Sequence, residues 1–184
     1  IFVERIIHIK IDMRIFDVSK HNVHGGTYRV MICNTKANYF DVDNSFYKDE
    51  SDYGVDNFDK IKKRIDIMRQ NMVNIKDLLE DLKQKGNRVV GYGATAKFTN
   101  VMNMCGLDNT HIDYVLDTTP LKNNKWIPNT NVQIKAYSPQ NIKDINYFYL
   151  GAWNYKKEIL EKESDYLSAG GKFITHIPKV KILK

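Results

Sequence analysis

The sequence predicts an α/β fold, a doubly wound and mostly parallel sheet preceded by a strand pair and a long helix, and three observations carry it. Near residue 88 the hydrophobic rhythm changes from one sustained heptad seam to short apolar runs that alternate with helical stretches. A sharp glycine turn, Gly91-Tyr92-Gly93, then joins an apolar run to a helix-like segment opened by small residues. Two further apolar runs, 13–18 and 27–33, stand ahead of the seam and flank a His-Gly-Gly turn.

Taken in order, the chain opens on Ile1 and enters the alternating stretch Ile7-His8-Ile9-Lys10-Ile11, which reads as the inside of a larger protein. The two strand runs are separated by His21-Asn22-Val23-His24-Gly25-Gly26, where paired glycines permit positive φ and bring the His24 imidazole close to a ligand. A hairpin with a solvent-facing histidine satisfies the same spacing. Residues 41–54 are polar and acidic, a surface connection. Phe58, Ile61, Ile65, Met68, Met72, Ile75, Leu79 and Leu82 then step alternately by three and four, with Asp56 placed to cap the first turn and Gly86 to end the helix. Such a helix extends about 43 Å at about 1.5 Å per residue, more than one small sheet covers, so part of the seam is expected to meet an upstream domain or a second copy. A single helix with one uncovered end is the plainer alternative.

From residue 88 the pattern predicts strands at 88–92, 112–116, 132–134, 147–151 and 172–175. Helices are expected at 96–105, briefly after Ser138-Pro139, and at 155–167, with an irregular stretch over 118–131. Strand-helix-strand repetition makes a parallel sheet whose ligands lie beyond the carboxyl ends of its strands, near the point where the strand order reverses. Three loops converge there: 91–97, 117–125 and 152–156.

The first of these is a phosphate cradle by construction. Gly91-Tyr92-Gly93-Ala94-Thr95-Ala96 fits G-x-G-x-x-G/A, which lets backbone N–H groups and a helix amino end approach a diphosphate, and Asp117 closes the next run where a ribose-binding acid is expected. The fold reading is therefore Rossmann-like. A tight strand-helix turn with Asp117 as a strand-end cap would leave the same trace. In Ala152-Trp153-Asn154-Tyr155-Lys156, Trp153 or Tyr155 can stack on a base and Lys156 can meet a phosphate, while Asn154 suits a helix cap.

Composition limits the alternatives. The 184 residues are 42% hydrophobic and carry a net charge of +6, but lysine and arginine are interleaved with acidic residues, so anionic ligands are favoured and a nucleic-acid stripe is not. Cys33 and Cys105 lack a C-x-x-C partner, which argues against both a disulfide framework and a zinc site. The longest apolar run falls far short of the ~20 residues that span a bilayer, which points to a cytoplasmic protein with no membrane partner.

His24-Gly25-Gly26-Thr27-Tyr28-Arg29, the glycine loop through Lys97, Asp117 followed by Pro120 and Lys122, and Ala152-Trp153-Asn154-Tyr155-Lys156-Lys157-Glu158-Ile159 occur in an order that resembles the C-terminal domain of S-adenosylmethionine-dependent sugar C-methyltransferases. The resemblance covers residues 13–178. It implies a substrate-binding part of an enzyme that methylates a nucleotide-linked deoxysugar, with S-adenosylmethionine held by an upstream domain or a separate partner chain. The cysteine cluster and the D/E-x-G-x-G-x-G donor loop of the family's earlier domains are absent from this sequence, so this chain alone is expected to be inactive and to hold no metal. On this reading residues 1–34 hold the end of the methyl-donor domain and the entry strands, 35–56 a polar connection, 57–86 a linking helix, and 87–184 the Rossmann-like domain. The substrate-binding residues it implies are Gly25, Gly26, Arg29, Gly91, Gly93, Lys97, Asp117, Trp153, Asn154, Tyr155 and Lys156, with His24 as the candidate catalytic group. Where the family shows glycines and Pro-Gly-Thr after the acid, this chain has Asn123, Asn124 and Pro128-Asn129-Thr130, and asparagine tolerates the left-handed backbone such a turn needs. Two other readings remain open from the residues: a module that binds NAD or a nucleotide as a regulator, and an oligomerisation unit working through the long helix.

Overall fold

The computed structural model describes residues 12–23, 26–37 and 45–184. The described chain falls into two compact units, one ending at Arg64 and the other running Ile65–Lys184. The first contains an antiparallel pair, β1 (Met13–His21) and β2 (Thr27–Asn34), with a bulge between Ile15 and Asp17, and a helix α1 (Ser45–Tyr53). That helix corrects the expected surface connection over 41–54. Its composition is mostly polar, with Phe46 as its one aliphatic or phenyl residue and no repeating apolar face, which hid it from a search for apolar periodicity.

Helix α2 (Phe58–Gln84) is the heptad helix, and the division between the units falls inside it. Asn57 rather than Asp56 caps it, accepting from the Lys60 amide at 2.9 Å. Gly86 ends it at φ +74°, with its own amide on the Lys83 carbonyl and the Asn87 amide on Leu82, both at 3.0 Å. Of the seam, Ile75, Leu79 and Leu82 are buried, whereas Phe58, Ile65 and Met68 are exposed.

The second unit is built on a seven-stranded sheet in the order β5-β6-β4-β3-β7-β8-β9. The strands are β3 (Val89–Tyr92), β4 (Val115–Asp117), β5 (Trp126–Ile127), β6 (Val132–Ala136), β7 (Tyr147–Leu150), β8 (Lys172–Thr175) and β9 (Lys181–Leu183). The five strands β6, β4, β3, β7 and β8 run parallel, and the short edges β5 and β9 run antiparallel. Both edge strands lie where the sequence predicted none, since two or three residues hold too little of a period to be read. β5 falls in the stretch expected to be irregular.

Alternation along the strands divides the core into two layers. Val89, Val115, Ile134, Tyr149 and Ile174 face the end of α2 and helix α3 (Ala96–Cys105), packing with Ile75, Leu79, Phe98 and Met102. Val90, Tyr92, Leu116, Phe148, Leu150 and Phe173 face the other way, toward α4 (Lys156–Lys162) and α5 (Ser164–Ser168) through Ile159 and Tyr166. The single helix expected over 155–167 is thus two. Backbone hydrogen bonds continue past the junction, but Glu163 adopts φ −98° and ψ 28° and turns its carboxylate inward. There it accepts from the hydroxyls of Tyr92 at 2.7 Å and Tyr137 at 2.6 Å. A buried carboxylate must find such donors, and meeting them bends the helix.

Asn124, Asn129 and Asn131 all take positive φ between +53° and +61°, so asparagine serves the left-handed turns after Asp117. Asn123 does not, at φ −57°.

Candidate functional site

The carboxyl ends of β3, β4 and β7 bring the three anticipated loops of the second unit together. At the centre three glycines allow contacts that a side chain would forbid. A Cβ on Gly151 would lie 2.3 Å from the Gly93 carbonyl oxygen and 2.6 Å from Phe98 Cγ, and one on Gly93, at φ +90°, would lie 2.7 Å from Ala152 Cβ. Gly91 is held as closely by Val115 and Phe98, which lets α3 settle on the sheet. Thr95 starts that helix: its hydroxyl accepts from the Phe98 amide at 3.1 Å and donates to the Gly151 carbonyl at 3.0 Å.

Asp117 ties this loop to the next. One carboxylate oxygen accepts from the Ala94 amide at 2.8 Å and from Lys122 at 3.1 Å, and the other from the Thr119 amide at 2.8 Å. Lys122 also donates to the Ala94 carbonyl at 3.0 Å. Burial raises the affinity of this carboxylate for a proton, but the hydrogen bonds from Thr119, Lys122 and Ala94 outweigh it and hold the group below the ordinary range. The Gly93 amide is likewise engaged, on the Leu116 carbonyl at 2.8 Å. What the motif offers an anion is therefore the amino end of α3 and the exposed Lys97, not the amides of Gly93 and Ala94.

Lys97 sets its ammonium 5.9 Å from the Trp153 ring. Trp153 begins a short 3-10 turn, Trp153–Tyr155, after β7, with Asn154 half-buried and Tyr155 and Lys156 exposed. Asn154 does not cap the helix that follows: Tyr155 occupies the cap position of α4, with no side-chain hydrogen bond. Sequence reading missed His176, which directly follows β8 and stands edge-to-face with Trp153, ring centroids 4.7 Å apart. Its place after a strand was the one available signal. Burial pushes its imidazole down to about 4.

The other anticipated residues belong to the first unit. Arg29 is exposed on β2 opposite Ser19, and Gly26, just before that strand, takes φ +117° with open space where a Cβ would be. His24 and Gly25 lie outside the described residues.

A family model for the C-methyltransferase C-terminal domain matches residues 22–178. The chain belongs to this family. It is also 29% identical over 175 residues to the C-methyltransferase NovU of Streptomyces niveus, covering 93% of this chain and 41% of that protein. This member of the C-methyltransferase C-terminal domain family therefore spans less than half the length of its curated relative. The glycine loop, Asp117, Lys122 and the 152–156 loop all fall within the matched residues. Among the described residues no group of His, Cys, Asp and Glu is placed to hold a metal ion, and no helix is long and apolar enough to cross a membrane.

Proposed function

We propose that this chain holds the nucleotide-linked sugar for a C-methyltransferase that takes its methyl group from S-adenosylmethionine, with the parallel sheet serving as a Rossmann-like platform. The observation that carries the reading is the meeting, beyond the carboxyl ends of β3 and β7, of the amino end of α3, Lys97 and the indole of Trp153. A cation and helix amides suit a diphosphate, and an aromatic face suits a base or the C–H face of a sugar. Gly91 and Gly93 shape the turn, Asp117 and Lys122 keep it in place, and Asn154, Tyr155 and Lys156 border it. Gly25, Gly26 and Arg29 are proposed as further substrate contacts and His24 as a candidate catalytic group.

In the complete enzyme S-adenosylmethionine supplies an electrophilic methyl, bound by a part outside this chain. The reaction needs a proton removed from the sugar carbon beside a carbonyl and the resulting enolate aligned for attack. This chain's share is alignment. Anchoring the diphosphate fixes one end of a long ligand, so binding energy far from the reacting carbon orders that carbon.

Calorimetric titration tests the reading. The chain should bind nucleoside diphosphates and their sugar conjugates and should not bind S-adenosylmethionine or transfer methyl groups alone. Micromolar binding of S-adenosylmethionine, or of NAD in preference to nucleotide sugars, would overturn it.

A further inference from the structure

We propose that His176 is a ligand-binding residue whose Nε2–H donates a hydrogen bond to an uncharged oxygen, a carbonyl or hydroxyl, of the molecule lying on Trp153. The inference rests on the nucleotide-sugar reading above for its ligand, but its grounds are separate.

They begin with the neighbouring hydroxyl. Tyr149 is fully buried, its ring packed edge-to-face on Phe98, and among the described residues its hydroxyl has one hydrogen-bond partner, His176 Nδ1, at 3.0 Å. A buried hydroxyl proton requires an acceptor, so Nδ1 supplies the lone pair and the imidazole proton resides on Nε2. Nε2 is buried with no hydrogen-bond partner among the described residues. An imidazole kept neutral by desolvation cannot relieve this by exchanging roles, because reversing the Tyr149 bond would strand the hydroxyl proton instead. A buried donor left unmet opposes folding, and such groups mark places where a ligand completes the bonding.

Position says what kind of ligand. His176 lies beyond the carboxyl end of β8, which pairs in parallel with β7, and Trp153 lies beyond the end of β7. The Trp153 ring thus has His176 as one neighbour and the Lys97 ammonium as another. Lysine provides charge for a phosphate, whereas a neutral N–H beside an indole suits an uncharged oxygen on a ring stacked there. Sugar hydroxyls or carbonyls and pyrimidine carbonyls share that chemistry, and the experiment separates them.

Titrate the wild-type chain, His176→Phe, His176→Gln and the double variant Tyr149→Phe/His176→Phe with pyrophosphate, uridine and thymidine diphosphate, and the corresponding diphosphoglucoses. His176→Phe keeps the ring against Trp153 and removes the donor. The double variant also removes the stranded hydroxyl, so it stays folded if the single one does not. We expect about tenfold weaker binding in both Phe variants for a ligand whose uncharged oxygen reaches Nε2, recovery to within about threefold in His176→Gln, and unchanged pyrophosphate binding. Loss confined to the diphosphoglucoses assigns the oxygen to the sugar; loss shared with the diphosphates assigns it to the base. Undiminished binding, or equal loss for pyrophosphate, overturns the role of His176 alone. A wild-type chain that binds none of the probes removes the nucleotide-sugar reading, and this assignment with it. Nitrogen NMR gives a ligand-free check: the neutral ring should show the Nε2–H tautomer, and the Nδ1–H form would refute the argument.

Discussion

The glycine loop and the Trp153–His176 pair both lie beyond the carboxyl ends of the parallel strands and differ in one respect, whether their polar groups are satisfied. In the loop, the Gly93 and Ala94 amides, the Asp117 carboxylate and Lys122 bond to one another or to the sheet. In the pair, His176 Nε2 is buried and, among the described residues, unmet. A motif that looks like a ligand cradle is here first a device for packing α3 and two loops together, and the group in want of a partner comes from a position outside every motif. Internal satisfaction makes the loop rigid, and a rigid loop can present Lys97 and a helix end without reorganising on binding.

The largest effect that would test this contrast is at Gly151. Gly151→Ala should lower stability by about 3 kcal/mol or more in urea unfolding, because its Cβ would overlap the backbone oxygen of Gly93 and the ring of Phe98. A near-neutral result would mean that the three loops are not closely packed. Gly93→Val should fail for a similar reason, with Ala152 and a positive φ both against it, so that variant reports on folding before it reports on a ligand.

Acid should act next, through His176. Its folded value of about 4 lies below the ordinary 6.5, so between them the unfolded chain binds more protons. Stability attributable to this residue is complete above about pH 6.5 and is lost as pH falls toward 4, by on the order of 3 kcal/mol. His176→Gln should remove that part of the pH dependence in thermal melts across this window, and an unchanged profile would place the imidazole in a wetter setting.

Asp117→Asn should cost about 2 to 3 kcal/mol of stability, since it removes the charge opposite Lys122 and sets an amide donor against the Ala94 or Thr119 N–H. If Asp117 mainly served a ribose, ligand affinity would fall while the urea midpoint held. Lys97→Ala should show that second pattern: weaken nucleoside diphosphate binding by about 1.5 to 3 kcal/mol and leave stability within about 0.5 kcal/mol, as suits an exposed cation. Unaltered affinity would move the diphosphate away from α3.

Much of this molecule was open to a reading of the chain alone. The seam from Phe58 to Leu82 and the stop at Gly86 specify α2, and short stretches of three to five residues rich in apolar side chains between helical segments mark the five parallel strands, because side-chain period is a local property. The turn at 91–96 was equally plain, since few residues but glycine permit it. Contacts distant in sequence decided the rest. Glu163 bends its helix because two tyrosine hydroxyls await it, β5 and β9 exist because longer strands offer them an edge, and Asp117 is occupied because folding delivers the Ala94 amide and Lys122 to it. His176 carries no signal in its own neighbourhood. It becomes informative when β7 and β8 lie side by side, Tyr149 claims one of its nitrogens, and burial denies the other nitrogen water. Period and turn chemistry are written residue by residue; whether a buried group is satisfied depends on which others the tertiary fold brings within reach.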